Sequence, residues 1–155
     1  NCLIMAYCHI AHDCIVGNNC IFSNASTLAG HITIGDYVIL AGMTAVHQFC
    51  MIGSHAFVTG GSLVRKDVPP YVKGAREPLS YVGINSIGLR RRGYDTEKIR
   101  EIQNIYRILY QNNYNTTQAS EIIEAEMEAT PERDEILQFI KNSKRGIMKG
   151  YFSNS

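Results

Sequence analysis

The sequence predicts a mainly β plus α protein, a parallel β-helix of hexapeptide repeats followed by a small all-α domain. Three observations carry this. First, every sixth residue from Ile4 is apolar: Ile4, Ile10, Val16, Phe22, Leu28, Ile34, Leu40, Val46, Ile52, Val58 and Val64. Second, the place two residues earlier holds a small or β-branched residue throughout: Cys2, Cys8, Cys14, Cys20, Ser26, Ile32, Val38, Thr44, Cys50, Ala56 and Ser62. Third, charge is distributed unevenly. Up to Asp67 the only Asp, Glu, Lys or Arg residues are Asp13, Asp36, Arg65, Lys66 and Asp67, whereas 13 Lys/Arg and 11 Asp/Glu come after it. A fixed short period held in phase over this length marks a stacked-repeat architecture.

Residues 1–70 form the β-helix. Each six-residue unit supplies one short strand and one corner. The large aliphatic residue points inward, and so does the small residue two places away, because strand side chains alternate. Three units close a coil, and successive coils stack like parallel strands about 4.8 Å apart. The position after the apolar residue is usually small (Ala11, Gly17, Ser23, Ala29, Gly35, Ala41, Gly53). Stacked coils need a cap at each end. The ruler is already in phase at Asn1, and the chain does not open with Met, so further coils are expected upstream. Residues 71–82, after Pro69-Pro70, read as a linker loop.

Residues 83–155 read as the helical domain. A short helix is expected over Gly83–Arg92. A second over Asp95–Tyr110 is indicated by Ile99, Ile102, Ile105, Tyr106 and Leu109 at helical spacing, with Asp95 as N-cap. A third spans Thr117–Ala129. A fourth starts at Thr130-Pro131-Glu132, an N-cap followed by proline in the first turn and an acid near the positive end. It runs to about Asn142, and Gly146 is placed to end any helical continuation.

The net charge of +1 gives no field for nucleic acid or an anionic membrane surface. No apolar run is long enough to span a bilayer, and no signal peptide is visible. All five cysteines fall in the inward small-residue column. Six-residue spacing puts successive cysteines on different walls, so the pattern argues for buried free thiols rather than a metal site or disulfide framework. Reduced thiols suit a cytoplasmic protein.

Several polar residues break the ruler. Residues one coil apart share a corner, so His12, Gly30-His31 and His47-Gln48 should form a vertical strip about 10 Å tall, with His9 within reach. Four histidines in one strip have three readings: surface residues at polar corners, a three-histidine zinc site, or general-base catalysis by a neutral imidazole. His55 lies off the strip and reads as a surface residue.

At these positions the sequence resembles the UDP-N-acetylglucosamine O-acyltransferase family of lipid A biosynthesis. The resemblance rests on His9-Ile10-Ala11-His12-Asp13-Cys14, Ala29-Gly30-His31, Gly42-Met43-Thr44-Ala45-Val46-His47-Gln48-Phe49, Asp67-Val68-Pro69-Pro70-Tyr71, Asn85, and Gly88-Leu89-Arg90-Arg91-Arg92-Gly93. It implies a left-handed β-helix, against the general preference for right-handed crossovers, and a cytoplasmic homotrimer with sites between subunits. It further implies transfer of a 3-hydroxyacyl chain from acyl carrier protein to the 3-hydroxyl of UDP-N-acetylglucosamine. No permanently bound cofactor is implied beyond the phosphopantetheine of that donor, and no metal.

In these terms His12 matches the general base, Asp13 the acid that orients it, and Gly30 the backbone donor to the oxyanion. Adjacency of His12 and Asp13 does not by itself bring the side chains together, because neighbours diverge on a strand. His9, His31, His47 and Gln48 match residues that hold the sugar nucleotide or support the site. Asn85, Arg91 and Arg92 match contacts to its uridine-diphosphate end. Gly60 matches the position limiting acyl length, where glycine leaves room for a long chain. Ile87 departs from the family, which often has an acid there. The alternatives are the sibling N-acyltransferase, a trimeric zinc hydratase using His9, His31 and His47, and a non-catalytic assembly module. The bland alternatives are a solvated basic turn for Arg91 and Arg92, and a tight corner at Gly60 and Gly61.

Overall fold

The six-residue ruler winds the chain into a three-faced prism in the computed structural model, which describes residues 1–111 and 113–150. One face carries β1 (Leu3–Ile4), β4 (Ile21–Phe22), β7 (Ile39–Leu40) and β10 (Phe57–Val58). The second carries β2 (His9–Ile10), β5 (Thr27–Leu28), β8 (Ala45–Val46) and β11 (Leu63–Val64). The third carries β3 (Ile15–Val16), β6 (Thr33–Ile34) and β9 (Met51–Ile52). Every pairing on the faces up to Val64 is parallel and in the coil register: Leu3 opposes Ile21, His9 opposes Thr27, and Ile15 opposes Thr33.

The inward columns are those expected. Phe22, Leu28, Ile34, Leu40, Ile52, Val58 and Val64 are buried, as are Cys20, Ser26, Ile32, Val38, Thr44, Cys50, Ala56 and Ser62. The first coil differs. Ile4 and Ile10 remain 42% and 41% exposed because no coil covers them. Cys2 is therefore exposed rather than buried, and Cys8 and Cys14 are half-buried. All five thiols are free. The small column also has a polar function: Cys14, Cys20 and Ser26 donate to the carbonyls of Ala29, Gly35 and Ala41 in the next coil. Burial pushes the Cys20 and Cys50 thiols up to about 11, which keeps them protonated and inert.

Each corner holds a residue in the left-handed backbone region, and nearly all of these are not glycine. Tyr7, Ala25 and Met43 serve one edge; Asp13, His31 and Phe49 the next; Asn19, Tyr37, His55 and Tyr71 the third. This conformation costs an L-residue about 1–2 kcal/mol. From Ala25 to Tyr71 the cost is offset because each such N–H donates to a corner carbonyl of the preceding coil, as from His31 to His12 at 3.0 Å and from Tyr37 to Asn18 at 2.8 Å. The small residue after the apolar column is explained by the same stacking. A Cβ on Gly35 or Gly53 would lie 2.5 Å from Ser54 or Pro70 of the following coil.

The ruler breaks at the end of the prism. Ile52 bridges Val68 and Phe57 opposes Lys73, so the final coil is two residues short. The segment 71–82 is not a linker loop. It forms β12 (Val72–Ala75) and β13 (Ser80–Ile84), an antiparallel hairpin that extends the first face, and β14 (Lys149–Gly150) adds to it in parallel. Val72 and Gly74 turn inward while Lys73 faces out, a strand alternation obscured in sequence by the flanking prolines. The coil and helical parts share one continuous apolar core, from Cys20 through Val68 and Tyr71 to Ile102 and Ile136.

Helix α1 covers Ser86–Arg91 rather than Gly83–Arg92, because Gly83 belongs to β13 and Asn85 is the N-cap. Helix α2 (Thr96–Gln111) buries Ile99, Ile102, Ile105, Tyr106 and Leu109, and the Asp95 carboxylate accepts from the Lys98 N–H at 2.8 Å. Helix α3 (Thr116–Glu126) begins one residue before the expected start, behind an Asn115–Gln118 capping box. It ends before Ala129 because Met127 is extended, and Arg133 takes the carbonyls of Glu124 and Met127. Helix α4 (Pro131–Asn142) has the expected Thr130 cap. The part of 83–155 beyond Gly150 lies outside the described residues.

Candidate active site

The edge between the second and third faces carries the predicted histidine strip. Asp13, His31 and Phe49 occupy its left-handed corner positions, and His12, Gly30 and Gln48 precede them. The left-handed turn, not a strand, sets the side-chain directions. It brings His12 Nδ1 to 2.9 Å from Asp13 Oδ2, although the two are sequence neighbours. His31 Nε2 lies 3.7 Å from the same carboxylate oxygen. The His12 and His31 rings meet edge to face at 5.0 Å, and His31 stacks on Phe49 at 5.0 Å. His12 is accessible, with 68% of its side chain exposed.

The hydrogen bond from His12, then the charge of His31, hold the Asp13 carboxyl below the usual carboxylate range. An ionised Asp13 accepts the Nδ1 proton of His12. This leaves the Nε2 lone pair of a neutral imidazole free to take a proton.

Gly30 sits directly against this ring. A Cβ there would lie 2.7 Å from His12 Cε1 and 2.9 Å from Nε2. Its N–H makes no hydrogen bond among the described residues. The contrast with the next edge is informative: the equivalent N–H groups of Asn18 and Asp36 donate to the side chains of Asp36 and Ser54. At the histidine edge Gln48 takes the covering place and does not accept from Gly30, whose N–H is unpaired among the described residues, as are those of Asn24 and Gly42 on the first edge.

Not all of the predicted strip converges. His9 lies on the second face at the start of β2, and His47 and Gln48 are exposed one coil beyond Gly30. Among the described residues none of the three bonds to the His12–Asp13–His31 group. Within one chain the three-histidine set His9, His31 and His47 is therefore not brought together. The groups spaced to hold a cation among the described residues are His12, Asp13 and His31, whose ligand atoms lie within 4.8 Å of one another.

The other predicted residues lie on the two remaining edges of the same chain. Gly60 stands over Gly42, its would-be Cβ 3.1 Å from the Gly42 carbonyl oxygen. Asn85 and Arg92 gather at the third edge, around His55. Arg91 and Ile87 are exposed, and the Arg91 side chain makes no hydrogen bond or ion pair among the described residues. One chain thus separates the imidazole group from the guanidinium group by a full face of the prism.

His55 is not the surface residue expected. It is sandwiched between Tyr37 and Tyr71 at 5.1 and 5.4 Å, with Tyr94 against its edge. Its carbonyl accepts from Asn85 Nδ2 at 3.0 Å, and its Nδ1 lies 3.2 Å from Arg92 Nη1. The same arithmetic that aligned His12 with Gly30 places Tyr37 one coil before His55, and would have found it.

Burial, then the adjacent Arg92 charge, push the His55 imidazole down to about 4. Between the ordinary value of 6.5 and about 4 the unfolded chain binds a proton that the folded chain refuses. Stability is therefore expected to fall as pH drops through that window. Discounted for partial exposure, the loss is on the order of 1–2 kcal/mol. Urea unfolding of wild type and His55→Phe between those pH values checks this: the variant should lack that part of the slope.

Comparison with known proteins agrees with this architecture. Residues 67–148 match the family model described as UDP-N-acetylglucosamine O-acyltransferase, domain 2, and residues 1–30 match the bacterial transferase hexapeptide (six repeats). The acyl-[acyl-carrier-protein]–UDP-N-acetylglucosamine O-acyltransferase of Aliivibrio salmonicida is 44% identical over 147 residues, covering 95% of this chain and 56% of that protein. The enzyme of the same name from Thiobacillus denitrificans is 41% identical, covering 94% and 57%. Among solved structures, a UDP-N-acetylglucosamine acyltransferase from Bacteroides fragilis superposes with a TM-score of 0.94 at 47% identity, covering 96% of this chain and 58% of that one. One from Arabidopsis gives 0.90 at 38% identity, covering 96% and 55%. The chain spans just over half the length of these relatives.

Proposed function

We propose that this chain, which belongs to the UDP-N-acetylglucosamine O-acyltransferase family, carries the acyl-transfer centre of such an enzyme on its histidine edge. The observation that supports this most is the His12–Asp13 pair with the unpaired Gly30 N–H beside it. His12 Nε2 takes the proton of the sugar 3-hydroxyl as that oxygen attacks the thioester carbonyl of the acyl carrier protein-bound 3-hydroxyacyl chain. Asp13 holds the tautomer and stabilises the imidazolium. The Gly30 N–H donates to the oxyanion that develops on the thioester oxygen, a position where such donors count most. The proton on His12 then passes to the departing thiolate of the phosphopantetheine.

No permanently bound cofactor or metal enters this scheme. The guanidinium and imidazole groups lie on different edges of one chain, which supports a homotrimer in which one copy supplies His12 and a neighbour supplies Asn85, Arg91 and Arg92 to the nucleotide. His9, His31, His47 and Gln48 line the sugar side, and Gly60 the acyl side. Free thiols fit a reducing, cytoplasmic setting. Among the described residues no helix is long and apolar enough to cross a membrane.

The direct test is the whole protein with acyl carrier proteins of graded chain length. Ester formation at the sugar 3-hydroxyl is expected, and Gly60→Met is expected to move the preference to shorter chains. Amide formation on an amino sugar instead would assign the sibling N-acyltransferase activity. Gly30→Ala is a second, independent check. Its Cβ must displace the His12 ring, and misplacing a catalytic group by about 1 Å can cost roughly 10²-fold. We expect a kcat loss of about 10–10²-fold with an unchanged melting temperature.

The His12–Asp13–His31 spacing also admits a second reading, a cation-dependent hydratase. Activity that survives exhaustive chelation, with no stoichiometric metal by elemental analysis, is the result expected here. Loss on chelation and recovery with zinc would favour the second reading.

A further inference from the structure

The third edge of the prism is organised around one imidazole. Tyr37, His55 and Tyr71 are successive left-handed corner residues, so their rings lie nearly parallel, at 7° and 10°. His55 meets both ends of α1. At the start, Asn85 Nδ2 donates to the His55 carbonyl, the Asn85 N–H donates to the Tyr71 carbonyl at 2.8 Å, and Asn85 Oδ1 caps the helix through the Gly88 N–H. At the end, Arg92 lays its guanidinium over the Tyr37 ring, 5.2 Å from the centroid, and points Nη1 at His55 Nδ1.

Nδ1 must be unprotonated to accept that bond, so the ring proton sits on Nε2, which faces the Tyr94 hydroxyl at 3.4 Å. The displaced pKa of His55 agrees with a neutral ring. Nε and Nη2 of Arg92 have no acceptor among the described residues, and neither belongs to the buried unpaired side-chain atoms, so both reach solvent. A guanidinium held by one corner, with its other donors free, is prearranged for an anionic group with two acceptor oxygens.

We infer that His55 is a positioning residue: its ring nitrogen and the Tyr37 face fix Arg92 in the orientation that receives a phosphoryl group of the sugar nucleotide. The identity of the anion rests on the acyltransferase reading above; the His55–Arg92 contact does not. Lysine at 92 would lose both the stacking plane and the fork of donors.

The test uses the whole protein, with UDP as calorimetric probe and UDP-N-acetylglucosamine as varied substrate. His55→Phe keeps a flat ring in the stack and removes the acceptor; His55→Gln restores a polar acceptor. His55→Phe is expected to raise KM and the Kd for UDP about 10-fold, with kcat within about twofold. Arg92→Ala should cost at least as much, and the double variant no more than Arg92→Ala alone. His55→Gln should recover affinity to within about threefold of wild type.

Additive losses, a fall in kcat at constant KM, or a lowered melting temperature with unchanged UDP affinity would each overturn the inference. So would wild-type UDP affinity in Arg92→Ala. Wild-type protein that neither binds UDP nor transfers an acyl group would instead overturn the acyltransferase reading itself.

Discussion

Replacing His12 by alanine is expected to lower the kcat of the whole protein for O-acyl transfer by about 10²–10⁴-fold, the range that a positioned general base contributes. An alcohol is a poor nucleophile at neutral pH, so the step depends on a group that takes its proton during attack. His12 is the imidazole whose orientation is fixed by a carboxylate and whose second nitrogen is open beside an unpaired backbone donor. It is mostly exposed, and substitutions of such residues usually change stability by no more than about 0.5 kcal/mol. The loss should therefore appear in kcat without a change in unfolding midpoint. Asp13→Ala should lose less, and the double variant little more than His12→Ala alone, because the pair acts as a unit. Wild-type turnover by His12→Ala would falsify the assignment and leave the chain as a scaffold.

Asp67→Ala is expected to be the most damaging of the polar substitutions for stability, by about 2–5 kcal/mol. Asp67 is 1% exposed, and both carboxylate oxygens are used. One accepts from the Met51 N–H at 2.8 Å in the last full coil, the other from the Ser143 hydroxyl at 2.5 Å beyond α4. Its backbone also exchanges bonds with Gly146 and Met148. Alanine would orphan two donors in a desolvated place, at about 1–3 kcal/mol each. That is a large part of the roughly 5–15 kcal/mol that holds a domain together. Asn, which keeps one acceptor oxygen, should lie between wild type and alanine. Urea titration with a constant m-value would measure the series; a loss below about 1 kcal/mol for alanine would show that water replaces the carboxylate.

The residues that reveal themselves in sequence are those governed by a single period. Phe22, Leu40 and Val58 are buried because the prism has one inside, and a residue every six places must face it. The same arithmetic puts His12, Gly30 and His31 on one edge. It marks Asp13 as a corner but cannot give the His12–Asp13 contact, because the direction of the two side chains follows from the left-handed backbone there and not from the spacing. His55 escapes a reading of the sequence for a different reason: aromatic and imidazole side chains at corners look like surface residues until Tyr37, one coil away, is set beside them. The hairpin of β12 and β13 is hidden because Pro69-Pro70 and Pro78 punctuate a segment whose inward residues are few. Where contacts come from loops, caps and partner edges rather than from repetition, sequence spacing carries no record of them.

The final short coil gives the prism a direction. A stack of identical rungs could otherwise accept a further molecule at either end and grow into a filament, as open repeat edges tend to do. Dropping two residues before Lys73 spoils the register for any incoming rung, and the hairpin with the core helices then occupies the space. Growth by end-to-end addition is thereby blocked at that pole, and lateral association of whole prisms is the mode of assembly left open to it.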